Sequence, residues 1–142
     1  MIPFFKKLSF YIFLLTVTSC VSQVHKATNK INEIILNAQT RGALQNIIYV
    51  NNTILYKTND SSKTYFLSKK QIENLYVEVS KINLTTISTL EAPSNKRLFD
   101  GALHTTLSLK IDNNKYISSQ FDDDNPPKEL KEIVSLLRSF IK

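Results

Sequence analysis

The stretch Leu103-His104-Thr105-Thr106-Leu107-Ser108-Leu109-Lys110-Ile111 alternates apolar and polar residues almost without a break. Successive side chains on a strand point to opposite faces, so this pattern predicts a strand with one buried and one wetted face. Asp112-Asn113-Asn114 follows and reads as a tight turn, because asparagine and aspartate tolerate the left-handed backbone that hairpins need. Lys115 to Phe121 then reads as the returning strand, with Ile117, Ser119 and Phe121 on one face.

Working back along the chain, Ile31–Leu36 and Leu44–Val50 are rich in β-branched residues, and Thr40-Arg41-Gly42 breaks the run between them. Asn51-Asn52 separates Val50 from Thr53 and predicts a second hairpin, returned by Thr53–Lys57. Asn59–Lys63 is a polar turn before a short strand at Thr64–Leu67. Ser68-Lys69-Lys70-Gln71 has capping-box spacing and opens a helix. Its apolar residues Ile72, Leu75, Tyr76, Val79 and Ile82 recur with helical period. Asn83–Leu90 is read as a further strand through Leu84, Thr86 and Ile87, and Glu91–Phe99 as a loop.

Beyond the central hairpin, the carboxylates Asp122 to Asp124 and Pro126-Pro127 favour the start of a helix. That helix, Lys128–Ile141, carries the stripe Leu130, Ile133, Val134, Leu137, Phe140 and Ile141. The expected order is three or four strands, a helix, strands again, and a final helix. Hairpins impose antiparallel pairing. The fold class expected is therefore α+β: one antiparallel sheet with two amphipathic helices packed on one face, in two layers. The other face, polar around His104, is left bare.

The chain has 142 residues, a formal charge of +6, one cysteine and no tryptophan. One domain with a modest core fits that length. Gly42 and Gly101 are its only glycines, so each is expected at a special backbone position. The basic excess is mild and scattered, and no arginine–aromatic pattern accompanies it, which argues against nucleic acid as a partner.

The first residues have a different logic. Lys6 and Lys7 precede the apolar run Leu8–Val17, and Thr18, Ser19 and Cys20 follow. A charged start, a short apolar run and small residues describe an export leader. The run is shorter than the ~20 residues a transmembrane helix needs. Val17-Thr18-Ser19-Cys20 resembles the lipobox of bacterial lipoproteins. The resemblance implies that the Cys20 thiol is lipidated, that residues 1–19 are cleaved as a signal peptide, and that the acylated protein sits in a membrane. Val21 is not the aspartate that retains some such proteins in the inner membrane, so the resemblance implies the outer membrane, facing the periplasm. In leader, size and composition the chain is similar to short Bacteroidetes-type lipoproteins, a class of unknown function. Residues 20–30 are then a polar tether and residues 31–142 the folded domain. A lipidated Cys20 leaves no thiol for a disulfide.

Three groups of residues are candidate sites. The polar strand face offers His104, Thr106, Ser108 and Lys110, with Tyr116, Ser118 and Gln120 beside it, and suits a glycan or a peptide. Asp100, His104 and Asp122–Asp124 offer metal-ligand types, but at a spacing that matches no compact metal motif, so no metal is expected. Arg41 beside Gly42, and Lys96-Arg97 before Asp100-Gly101, place charges in loops, where function concentrates. Arg41 is expected to pair with Asp100 or with an acidic partner. No nucleophile elbow, zinc-protease motif or phosphate-binding glycine loop occurs, so a non-catalytic protein without cofactor is expected.

The leading expectation is a membrane-anchored binding or accessory domain of the cell envelope. Arg41, Asp100 and His104 are its candidate binding residues, and an envelope protein, peptidoglycan or glycan its partner. The alternatives are a small envelope hydrolase using His104 and Asp100, or a structural envelope protein with no specific ligand.

Overall fold

A computed structural model of the chain describes residues 30–142. The leader, Cys20 and the tether up to residue 29 lie outside the described residues. Four strands come first: β1 (Ile31–Gln39), β2 (Leu44–Val50), β3 (Thr53–Thr58) and β4 (Ser62–Phe66). Helix α1 (Lys69–Ser80) follows, then β5 (His104–Ile111), β6 (Asn114–Ile117), the two-residue β7 (Phe121–Asp122) and helix α2 (Lys131–Ser139). All pairings are antiparallel, in the spatial order β4-β3-β2-β1-β5-β6, with β7 also on β5. The chain thus meanders from β1 out to the β4 edge. It returns through α1 to lay β5 along the free side of β1.

The turns explain that meander. Asn51 and Asn52 both have left-handed φ, 48° and 62°, which matches the right-handed twist of a two-residue hairpin. The Tyr49 hydroxyl donates to Asn52 Oδ1 at 3.2 Å and the Thr53 hydroxyl to the Val50 carbonyl at 2.8 Å, pinning the turn from both sides. Asp112, with φ 51°, turns β5 into β6.

Both helices contribute to one core. Leu75, Val79 and Ile82 in and just after the first, and Leu130, Ile133, Val134, Leu137 and Phe140 around the second, pack with Ile34, Leu36, Ile47, Tyr49, Ile54, Leu107, Leu109 and Phe121 from the sheet. The fold is α+β, with an antiparallel seven-stranded sheet and two helices on one face. Helix α1 starts as its sequence dictates. Ser68 Oγ accepts from Gln71 N at 3.3 Å, and Gln71 Oε1 accepts from Ser68 N at 2.8 Å. Ser68→Ala should lower stability by about 1 kcal/mol in urea titration, the usual loss for an N-cap hydroxyl.

Four expectations are corrected. Asn83–Leu90 is not a strand: Ile87–Thr89 is a 3-10 turn. Asn83 Oδ1 accepts from the Thr85 backbone N–H (3.1 Å) and hydroxyl (2.7 Å), and the Thr89 hydroxyl donates to the Thr86 carbonyl, so side chains hold the backbone that a ladder would need. Neither glycine has positive φ. Asp100 takes the left-handed position instead, at φ 58°, while Gly101 serves by its smallness: a Cβ there would meet the Lys96 carbonyl oxygen at 3.2 Å. Gly42 would accept a Cβ in open space.

The third correction concerns the strand after the β5 turn. Leu109 pairs with Tyr116 and Ser108 with Ile117, so Tyr116 lies on the core side and Ile117 on the bare side. Further along, Thr105 pairs with Phe121. Two residues separate Thr105 from Ser108, but three separate Ile117 from Phe121. The extra residue is a bulge that reverses the facing of everything after it, so Phe121 points inward and is fully buried. Ser118 marks the crossing. Its backbone N–H donates to the Leu107 carbonyl and its Oγ accepts from the Leu107 N–H, both at 2.9 Å.

Finally, α2 begins at Lys131, three residues later than its composition suggests, and Asp122 to Asp124 are not its N-terminal charges.

Candidate functional site

The hairpins set two ends to the sheet. At one end lie Lys30, the Asn51-Asn52 turn and Asp112, with Lys30 and Asp112 bonded backbone to backbone at 2.9 Å. At the other lie the loop after Gln39, the start of β5 and the strand β7. Register places Gln39 beside His104 and His104 beside Asp122. The nine residues of β1 separate the two ends by about 27 Å at ~3.4 Å per residue.

At that far end, Asp122 builds the site. It is fully buried, and its carboxylate accepts four hydrogen bonds from Ser94–Arg97. Ser94 Oγ donates at 2.6 Å, the Lys96 and Arg97 backbone N–H groups at 2.7 and 3.0 Å, and the Arg97 guanidinium at 3.0 Å. The two backbone donors are the first N–H groups of the 3-10 turn Lys96–Phe99, so Asp122 caps that turn from across the sheet. Arg97 also donates to the Ser94 carbonyl at 2.7 Å, closing the loop on itself. Burial pushes the Asp122 carboxyl up. The hydrogen bonds from Ser94, Arg97 and Lys96 outweigh it and hold the group well below the usual carboxylate range.

The neighbouring carboxylates have other partners. Asp123 accepts from Arg138 and from the buried Thr105 hydroxyl, tying α2 to β5. Asp124 pairs with Lys96 at 2.6 Å, a bond that raises the lysine pKa and, being exposed, contributes little to stability. Asp100, His104 and the aspartate run therefore do not form a common cation site. Among the described residues, no three His, Cys, Asp or Glu side chains group closely enough to hold a metal ion.

Pinned in this way, the loop encloses an open cleft of about 660 Å³ lined by Gln39, Thr40, Arg41, Arg97, Leu98, Asp100, His104 and Gln120. Arg41, Asp100 and His104, singled out separately in the sequence, thus share one site. Arg41 and Asp100 do not form the ion pair expected between them. Among the described residues His104 makes no hydrogen bond to a serine, and no serine lines the cleft. Gln39, Thr40 and Gln120 gave little sequence signal as cleft residues. Gln39 and His104 meet only through the β1–β5 register, which joins strands far apart in the chain.

The bare face of the sheet differs from the polar surface expected. Lateral neighbours Ile117, Ser108, Ile35, Ile48, Leu55 and Thr64 form a row across it, mostly apolar. Of the residues grouped with His104, Tyr116 packs against the core and Ser118 is buried, whereas Gln120 reaches the cleft. No family model matches the chain, and comparison with curated proteins and with solved structures finds no match.

Proposed function

We propose that this protein is an envelope lipoprotein, tethered to the outer membrane through an acylated Cys20, whose domain binds a periplasmic ligand without catalysing a reaction on it. The observation that carries this reading is the convergence of Arg41, Asp100 and His104 on one cleft. That cleft lies at the end of the sheet opposite Lys30, where the tether joins. A site at the end remote from the proposed tether would be open to peptidoglycan, a glycan or another envelope protein. Two or more acyl chains on Cys20 would hold the protein stably, at ~0.8 kcal/mol per buried CH₂.

The test places a photo-crosslinking residue at Leu98 in the full chain, in cells, with Asn51 at the opposite end of the sheet as control. Adducts at Leu98 that vanish with Arg41→Ala are the expected result. Adducts that ignore Arg41, or that form equally at Asn51, would overturn the binding site. Cys20→Ala should move the protein from the membrane to the soluble fraction; retention in the membrane would overturn the anchor.

A further inference from the structure

We propose that the distal cleft takes a short zwitterionic peptide, with its terminal carboxylate on Arg41 and its terminal amine on Asp100. The inference rests on the binding reading above and adds the class of ligand.

It begins with the charges around the cleft. Asp122 is matched by Arg97, Asp123 by Arg138 and Asp124 by Lys96. Arg97, although it lines the cleft, is thus committed to the carboxylate behind it. Of the formally charged residues that line the cleft, Arg41 and Asp100 remain, one cation and one anion, both exposed. They do not pair with each other, and neither side chain has a hydrogen-bond partner among the described residues.

Fixed backbone positions the Asp100 side of this arrangement. The Asp122 hub anchors the loop, the Gly101 N–H donates to the Lys96 carbonyl at 2.9 Å, and the left-handed φ of Asp100 closes the turn. Two opposite charges held on one cleft select against simple ions. A lone anion attracted by Arg41 is repelled by Asp100, and a lone cation meets the reverse. A doubly charged phosphate would find one free guanidinium and one opposing carboxylate. A ligand bearing one charge of each sign satisfies both, and a carboxylate suits the planar fork of arginine. Around the same cleft, Gln39, Thr40 and Gln120 offer amide and hydroxyl groups to a peptide backbone, and Leu98 offers apolar contact. The cleft volume falls in the ~300–1,000 Å³ range of small-ligand sites.

The probes are trialanine with free ends, N-acetyl-trialanine and trialanine amide, titrated calorimetrically into the detergent-solubilised full chain. Trialanine should bind, and each cap should weaken binding by about tenfold, ~1.4 kcal/mol. Arg41→Ala should abolish the difference between trialanine and its amide while keeping the penalty for the acetyl cap. Asp100→Asn, chosen because asparagine also tolerates the left-handed backbone, should do the reverse. Both residues are exposed, so circular dichroism should show both variants folded. Equal binding of the three probes, binding improved by either cap, or no binding at all would overturn the proposal. If no probe binds while the Arg41-dependent crosslink persists, the ligand class is wrong and the binding site stands. If the crosslink also fails, both are wrong.

Discussion

Asp122→Ala should destabilise the domain by about 3–5 kcal/mol, the scale for removing one partner of a buried, hydrogen-bonded ion pair. The carboxylate is fully buried and Arg97 is nearly so, which places the pair beyond the weak regime of surface ion pairs. Alanine leaves an arginine charge and two backbone N–H groups without their acceptor, and Ser94 without its partner. Against a total stability of ~5–15 kcal/mol, the loss is a large fraction. Urea titration at neutral pH reads it directly. The same residue sets an acid response. Its folded-state pKa lies below its unfolded value of ~3.9, so its contribution is fully present above that pH and is lost as pH falls below it. Melting temperature should therefore drop with acidification below about pH 4 in the wild type, and less steeply in Asp122→Asn. Equal slopes in the two proteins would show that Asp122 is not the group responsible.

Phe121→Ala is expected to cost about 3–5 kcal/mol, the range for deleting a buried phenylalanine from a packed core. Phe121 is fully buried, one residue before the hub, and it faces inward because of the bulge at Ser118. A urea midpoint unchanged in Phe121→Ala would refute the packing role.

These two residues also mark where sequence reading stops. Strands β1 to β3, the Asn51-Asn52 turn, the Ser68 capping box and the stripe of α2 were legible, because each depends on residues within a few positions of one another. Period two, period 3.6 and turn chemistry are local codes. That Ile117 and Phe121 take opposite faces was not legible, because one unpaired residue between them reverses the phase and Ser118-Ser119 carries no mark of it; Tyr116 turns to the core because Asp112 and Asn113 alone join β5 to β6. Asp122 read as part of a helix start because three aspartates before two prolines satisfy that local rule. Its true partners lie more than 20 residues earlier and are brought to it by the β5–β7 pairing. Arg41, Asp100 and His104 were legible one by one from chemistry and loop context. Their shared cleft was not, since it needs β5 beside β1, a neighbour relation made only after the chain has crossed through α1.

The position of β1 has a mechanical consequence. It is the first described strand, flanked on both sides by β2 and β5, and it runs from the tether end to the cleft end. If a ligand held in the cleft is dragged while Cys20 stays in the bilayer, tension enters at Ile31 and runs along the strand. The two flanking ladders are then loaded in shear, with many hydrogen bonds sharing the force at once instead of peeling one by one. On the proposed anchoring, a tether joined to this interior strand would make the domain a strong link between the membrane and its ligand.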